Sequence, residues 1–158
     1  AVEALRQKAE EKGVRILMER SETALPVRVQ PDLLRQVINN VVVNSLDAME
    51  GQKKKDLRIR LAQESLRGIG TGGWQGPNPE SSQAAVLEIS DTGCGIPEQL
   101  RQRIFYPFFT TKKNRGGTGL GLYQCSGIIR RHGGEIEIES REDSGTTVKI
   151  RLPLVPRA

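Results

Sequence analysis

Apolar positions change period several times along this chain, and each change marks an element. Residues 1–12 have a helix-favouring composition rich in Ala, Glu and Lys. Two short β-type runs follow at 14–18 and 27–29, the second stopped by Pro31. Residues 31–51, PDLLRQVINNVVVNSLDAMEG, then take a helical period, with Pro31 and Asp32 suited to a first turn and Gly51 to a C-terminal cap. The valines at 41–43 argue against a helix, because β-branched side chains lose rotamer freedom there. A wheel at about 100° per residue decides the matter: Ile38, Val42, Ser45 and Met49 point one way, while Asn40, Asn44 and Asp47 share the opposite face. A strand of period two would split Asp47 from the two asparagines.

Residues 57–61 alternate apolar with charged side chains and predict a strand with one wet face. Periodicity then vanishes over 63–83, where Gly, Pro, Asn and Ser accumulate, predicting a mobile loop insertion. Gly68, Gly70 and Gly73 meet the G-x-G-x-x-G spacing, yet Trp74, Gly76, Pro77 and Pro79 follow them where a dinucleotide-binding turn needs a helix. A buried strand at 84–89 runs into DTGCGIP at 91–97, and a short helix follows at 98–104. FYPFFTTKKNRGGTGLGL, residues 105–122, opens into an amphipathic helix ended by Gly133 and Gly134. Strands at 135–140 and 146–152 close the chain around a turn at 142–145. There is no internal repeat.

Composition narrows this to one domain of ordinary globular make-up: 158 residues, 36% hydrophobic and 27% charged. No apolar run approaches the roughly 18 residues of a membrane span, and the charged N-terminus is no secretion signal, so no membrane contact is expected of this fragment. The net charge of +5 directs attention to nucleic acid, an acidic surface or a polyphosphate. The cations are scattered apart from 53–55 and 112–115, and the chain has only 3 Phe, 2 Tyr and 1 Trp, which argues against nucleic acid. Cys94 and Cys125 are far apart, no C-x-x-C occurs and there is a single His, so a reduced, cytoplasmic chain without a zinc site is expected.

Three features carry candidate chemistry. The stripe of Asn40, Asn44 and Asp47 is either a solvated face or a set of oxygen donors for a hard cation. Asp91, Gly93 and Gly95 form either a plain turn or an acceptor for an exocyclic amino group, with glycines that let a flat ligand reach the backbone. GGTGLGL, residues 116–122, is either a hinge or an anion site at a helix N-terminus; no G-x-x-x-x-G-K-[ST] occurs, so it is no Walker A loop.

The ordered set NVVVNSLDAM, DTGCGIP, FYPFFTTK, GTGLGL, HGG and GTT resembles the ATP-binding catalytic domain of bacterial two-component sensor histidine kinases, over about residues 13–153. Residues 1–12 then read as a helical segment or linker end and 154–158 as a tail. The resemblance implies the Bergerat-type α/β (α+β) sandwich: a mixed, mostly antiparallel sheet of about five strands, with helices 32–50, 98–104 and 119–132 on one face. It implies ATP and Mg²⁺ as cofactors, held by Asn40, Asn44, Asp47, Asp91, Gly93, Gly95, Ile96, Thr110, Thr111, Lys112, Gly117, Thr118, Gly119, Leu120, Gly121, Leu122 and Thr146. Asn44 matches the asparagine that binds Mg²⁺, Asp91 the carboxylate that reads adenine, and Thr146 a threonine near the base. Residues 105–117 look like the lid, with Phe108 and Phe109 anchoring its base and Lys112, Lys113 and Arg115 near the triphosphate or simply solvated.

Relatives of the same fold that hydrolyse ATP or phosphorylate serine usually carry Glu four residues before the metal-binding Asn. Asn40 stands there instead, and an amide is no general base. Asn40 and Asn44 are therefore the candidate catalytic pair for transfer to an imidazole, with an ATPase, an anti-sigma serine kinase or a basic interaction module as rivals. His132, next to Gly133, reads as a cap in which His⁺ complements a helix C-terminus rather than as a phosphoacceptor. The accepting histidine is expected on a separate dimerisation hairpin of a homodimeric parent that passes phosphate to a response regulator, while the isolated domain is a monomer.

Overall fold

A computed structural model describes residues 2–65, 83–111 and 117–155. The glycines at 68, 70 and 73, Trp74, Lys112, Lys113 and Arg115 lie outside the described residues. The elements are α1 (Val2–Glu11), β1 (Arg15–Glu19), α2 (Pro31–Ala48), β2 (Asp56–Ser65), β3 (Gln83–Asp91), α3 (Glu98–Arg101), α4 (Gly121–Arg131), β4 (Glu135–Ser140) and β5 (Thr146–Pro153). They build one five-stranded sheet of order β1-β2-β3-β5-β4. Only β1 and β2 run parallel, which obliges a crossover, and α2 is that crossover. All other neighbours are antiparallel, so the sheet is the mixed one expected.

Strand alternation sorts the sheet into two unlike faces. Leu57, Ile89, Val148, Ile150 and Leu152 meet Val37, Val41, Val42 and Leu46 of α2 and Cys125, Ile128 and Ile129 of α4 in one core. α1 joins that core through Ala9, with Leu5 packed against it. The other face is ionic: Arg151, nearly buried, links Glu137 at 2.8 Å and Glu64 at 3.5 Å, and Lys149 meets Glu139 at 2.7 Å.

Four expectations need correction. Residues 63–65 and Gln83 belong to strands, paired Gln63↔Ala85 to Ser65↔Gln83. Their polar side chains hide the strand, whose stability comes from its partner. The run at 27–29 is no strand: Val27 makes an isolated antiparallel bridge to Leu154. The helix expected over 98–104 is one turn, Glu98–Arg101, followed by turns closed by Arg103 N–H to the Leu100 carbonyl and Tyr106 N–H to the Arg103 carbonyl. The last helix starts at Gly121 rather than 119, because Gly119 takes φ +69°.

Candidate functional site

The site is built on the pair α2 and α4. The wheel reading of α2 holds in part: Val42, Ser45 and Met49 are buried, together with Val37, Val41 and Leu46, but Ile38 is half-buried, and Asn40, Asn44 and Asp47 sit half-buried along the flank of the buried face rather than opposite it. Contacts between the helices run in opposite senses along the two elements. Gln30 meets His132, Gln36 meets Gln124, Val37 and Asn40 meet Cys125, and Asn40 lies beside Gly121. The two helices are therefore antiparallel, and the N-terminus of α4 opens beside the asparagine stripe.

Asn40 has its amide orientation set from below. The Val37 carbonyl can only accept, so the Cys125 thiol donates to it at 3.8 Å, and the sulfur accepts from Asn40 Nδ2 at 3.7 Å. Asn40 Oδ1 is then the atom left for the other side. Burial pushes the Cys125 thiol above its ordinary pKa, which keeps the S–H in place for this chain of bonds. Asp47, one turn past Asn44, meets Lys12 Nζ at 3.0 Å. No local signal in the sequence pairs these two, which are 35 residues apart.

A second group of the predicted site residues gathers at the end of β3. Asp91 is buried, and its Oδ1 accepts from Gly93 N–H at 2.9 Å and Thr146 N–H at 3.3 Å. This joins two predicted site residues directly. Thr146 Oγ1 pairs with Ser140 Oγ at 2.8 Å, and Ser140 Oγ accepts from Ile96 N–H at 2.8 Å, so Ser140 ties a third one in. Sequence reading missed Ser140, which lies 44 residues from Ile96. Asp91, Ser140, Gly145 and Thr146 line an open concavity of about 550 Å³ that Arg101 also borders; Asn40 and Asn44 are not on its wall.

The glycines of this turn serve the protein's own packing. A Cβ on Gly93 would stand 2.7 Å from the Cβ of Ala48, and one on Gly95 would strike the Arg141 carbonyl. The Gly93 contact, with Cys94 N–H donating to the Ala48 carbonyl at 3.0 Å, fastens the Asp91 turn to the end of α2. Ala48 lies one turn beyond Asn44 on the same stripe. The stripe thus reaches from Gly121 at one end to the Asp91 turn at the other.

Gly119 packs on the backbone of Phe108 and Phe109, which joins the start of the glycine turn to the 105–111 segment. Only Phe109 anchors there by its ring, under the Arg103 guanidinium at 4.9 Å. Phe108 is 72% exposed at φ +64°, contrary to the expectation that both rings hold the base. Gly117, Leu120 and Leu122 are half-buried, Thr118 and Thr111 exposed and Thr110 half-buried; Thr118 Oγ1 accepts from Leu120 N–H at 3.4 Å. Lys112 falls outside the described residues.

His132 caps α4, but in a neutral form. Its Nε2 accepts from Gln30 N–H at 3.1 Å, so Nδ1 carries the proton and donates to the Ile128 carbonyl at 2.8 Å. The expected His⁺ is thereby replaced by one tautomer with both nitrogens occupied, which leaves no lone pair for a phosphoryl group.

Residues 29–156 match the family model described as histidine kinase-, DNA gyrase B-, and HSP90-like ATPase. The chain is 36% identical to Sensor kinase CckA of Brucella abortus over 90% of its own length and 15% of that protein's. It is also 36% identical to the signal transduction histidine-protein kinase AtoS of Escherichia coli, over 84% of its own length and 18% of AtoS. The chain thus spans under a fifth of either relative. Among solved structures, the nucleotide-free catalytic domain of histidine kinase ThkA superposes with a TM-score of 0.69 at 28% identity, covering 97% of this chain and 88% of that one. Full-length ShkA in complex with AMPPNP shares the fold at a TM-score of 0.74 and 23% identity, over 99% of this chain and 29% of that one. The chain belongs to the family of histidine kinase-, DNA gyrase B-, and HSP90-like ATPases.

Proposed function

We propose that this domain holds Mg·ATP between α2 and α4 and hands the γ-phosphoryl group to a histidine on a helical hairpin elsewhere in its homodimeric parent, from which an aspartate of a response regulator takes it. The observation that carries the reading is the antiparallel seam of α2 and α4. It sets Asn40 beside Gly121 while Ala48 holds the Asp91 turn, so one helix links a phosphate end to a base end. Backbone N–H groups of Gly117–Leu122 and the N-terminus of α4 receive the phosphates. Asp91, its Oδ1 held by the Gly93 and Thr146 N–H groups, recognises the adenine amino group through its carboxylate.

The donor set suits magnesium. Among the described residues no group of three His, Cys, Asp or Glu side chains is placed to hold a metal. An amide oxygen from Asn44 with phosphate oxygens and water is the hard, sparsely protein-bound environment Mg²⁺ favours. Bound there, the ion neutralises charge on the phosphates. Asn40, with its amide turned by Cys125, orients a water or phosphate oxygen but abstracts no proton. Water is thus poorly activated, whereas a neutral imidazole supplies its own lone pair. Reduced thiols and ATP both suit a cytoplasmic setting.

Asn44→Ala tests this. Calorimetry with Mg·ATP is expected to show at least a tenfold loss of affinity, about 1.4 kcal/mol, with the circular dichroism spectrum unchanged. The same variant should fail to place acid-labile phosphate on the parent's hairpin supplied in trans. Undiminished affinity removes the metal role.

A further inference from the structure

His132 does more than close a helix. Its ring bridges two helices: one nitrogen holds the last turn of α4 through the Ile128 carbonyl, the other takes the N–H of Gln30, the residue that caps α2. The bridged segments are 102 residues apart in the chain. Along the rest of the seam, the polar links between the helices are longer: Gln36 to Gln124 at 3.4 Å, Asn40 to Cys125 at 3.7 Å and Cys125 to Val37 at 3.8 Å. Among the described residues, apolar packing around Val37, Val41, Cys125, Ile128 and Ile129 also lies between α2 and α4. Such packing is non-directional and resists separation better than it resists sliding. A hydrogen bond with both ends fixed resists sliding.

Axial position matters here because each residue of slip moves a helix about 1.5 Å. A Cβ on Gly121 would stand 3.9 Å from the Asn40 amide in the observed register, and a slip of one residue would carry the start of α4 away from Asn40. We infer that His132, through its bond to Gln30, is a positioning residue that pins the axial register of α4 on α2 and thereby sets the phosphate-binding turn opposite Asn40 and Asn44. The inference rests on the reading that nucleotide binds between these helices.

Two substitutions separate a pin from a mere cap. The nitrogen facing Ile128 is a δ atom and the one facing Gln30 an ε atom, so each role has its own mimic. His132→Asn keeps a δ-positioned donor for the Ile128 carbonyl but falls short of Gln30. His132→Gln carries an acceptor at ε reach toward Gln30. With His132→Leu as the variant lacking both, Mg·ATP affinity is measured by calorimetry, well below each variant's melting temperature, and phosphoryl transfer to the parent's hairpin is followed alongside. A pin predicts a loss of about five- to tenfold in affinity for His132→Leu and His132→Asn, a larger loss in transfer rate, and recovery to within about twofold of the parent chain for His132→Gln. A simple cap predicts that Asn and Gln behave alike and that Leu lowers only the melting temperature; either result overturns the inference. Should the variants not fold, ¹⁵N imidazole spectra of the unaltered chain decide, because the pin requires the neutral Nδ1–H tautomer, and the Nε2–H form or imidazolium at pH 7.5 contradicts it. Unchanged Mg·ATP affinity in Asn44→Ala defeats the nucleotide reading itself, whereas an effect there with none at His132 defeats only the pin.

Discussion

Asp91 illustrates how one side chain can be divided between architecture and recognition. Its Oδ1 takes two backbone N–H groups, from Gly93 and Thr146, at the meeting point of β3 and β5. Truncation to alanine would therefore damage the turn as well as any base contact, at about 1–3 kcal/mol for the donors left unpaired. Asp91→Asn is the cleaner probe. The amide keeps a carbonyl oxygen for the backbone donors and replaces the second oxygen with a donor, which repels an adenine amino group and welcomes a guanine carbonyl. The ATP-to-GTP affinity ratio is expected to fall by at least tenfold with little change in melting temperature. An unaltered ratio would remove the adenine assignment.

Among the elements, α2 and α4 matter most, and the seam between them has an alkaline weak point. The buried Cys125 thiol is held above its ordinary value near 9.0 by desolvation of the thiolate. Below that value both the folded and the unfolded chain keep the proton, so the contribution of this group is fully present and does not vary with pH. Above it the unfolded chain releases the proton first, and stability falls as pH climbs through the raised value of the folded state. Denaturant titrations at pH 8 and pH 10 should show this loss, and Cys125→Val should lessen it; equal slopes in both chains would contradict the assignment. The same two helices show what could be read in advance. The amphipathic stripe of α2 and the glycines opening α4 are local patterns, and period and punctuation alone located them. What escaped was contact across the chain. Lys12 on Asp47, Ser140 on Ile96 and Gln30 on His132 have no counterpart in spacing or propensity. Gly93 and Gly95 were legible as places of close approach, but not that Ala48 and Arg141 are what approach them. Residues 63–65 were misread because a polar strand is revealed only by its partner.

At the scale of the whole molecule the sheet has a working end and a remote end. Leu57 pairs with Asp91 at one, and Ser65 pairs with Gln83 at the other, roughly 27 Å of strand away. Since Ser65 and Gln83 are already antiparallel neighbours, an Asn-Gly pair in place of residues 66–82 suffices to join them as a tight hairpin. The shortened chain should melt within about 2 °C of the full one and bind Mg·ATP equally well; a fall of about 10 °C, or lost affinity, would show that the deleted stretch supports the core or the cleft. The same separation gives the experimenter a handle. A biotin-acceptor peptide spliced between Ser65 and Gln83 would tether the domain to a sensor chip by the end opposite Asp91, leaving the cleft towards the flowing buffer, so that nucleotide arrival and departure could be timed without the attachment chemistry intruding.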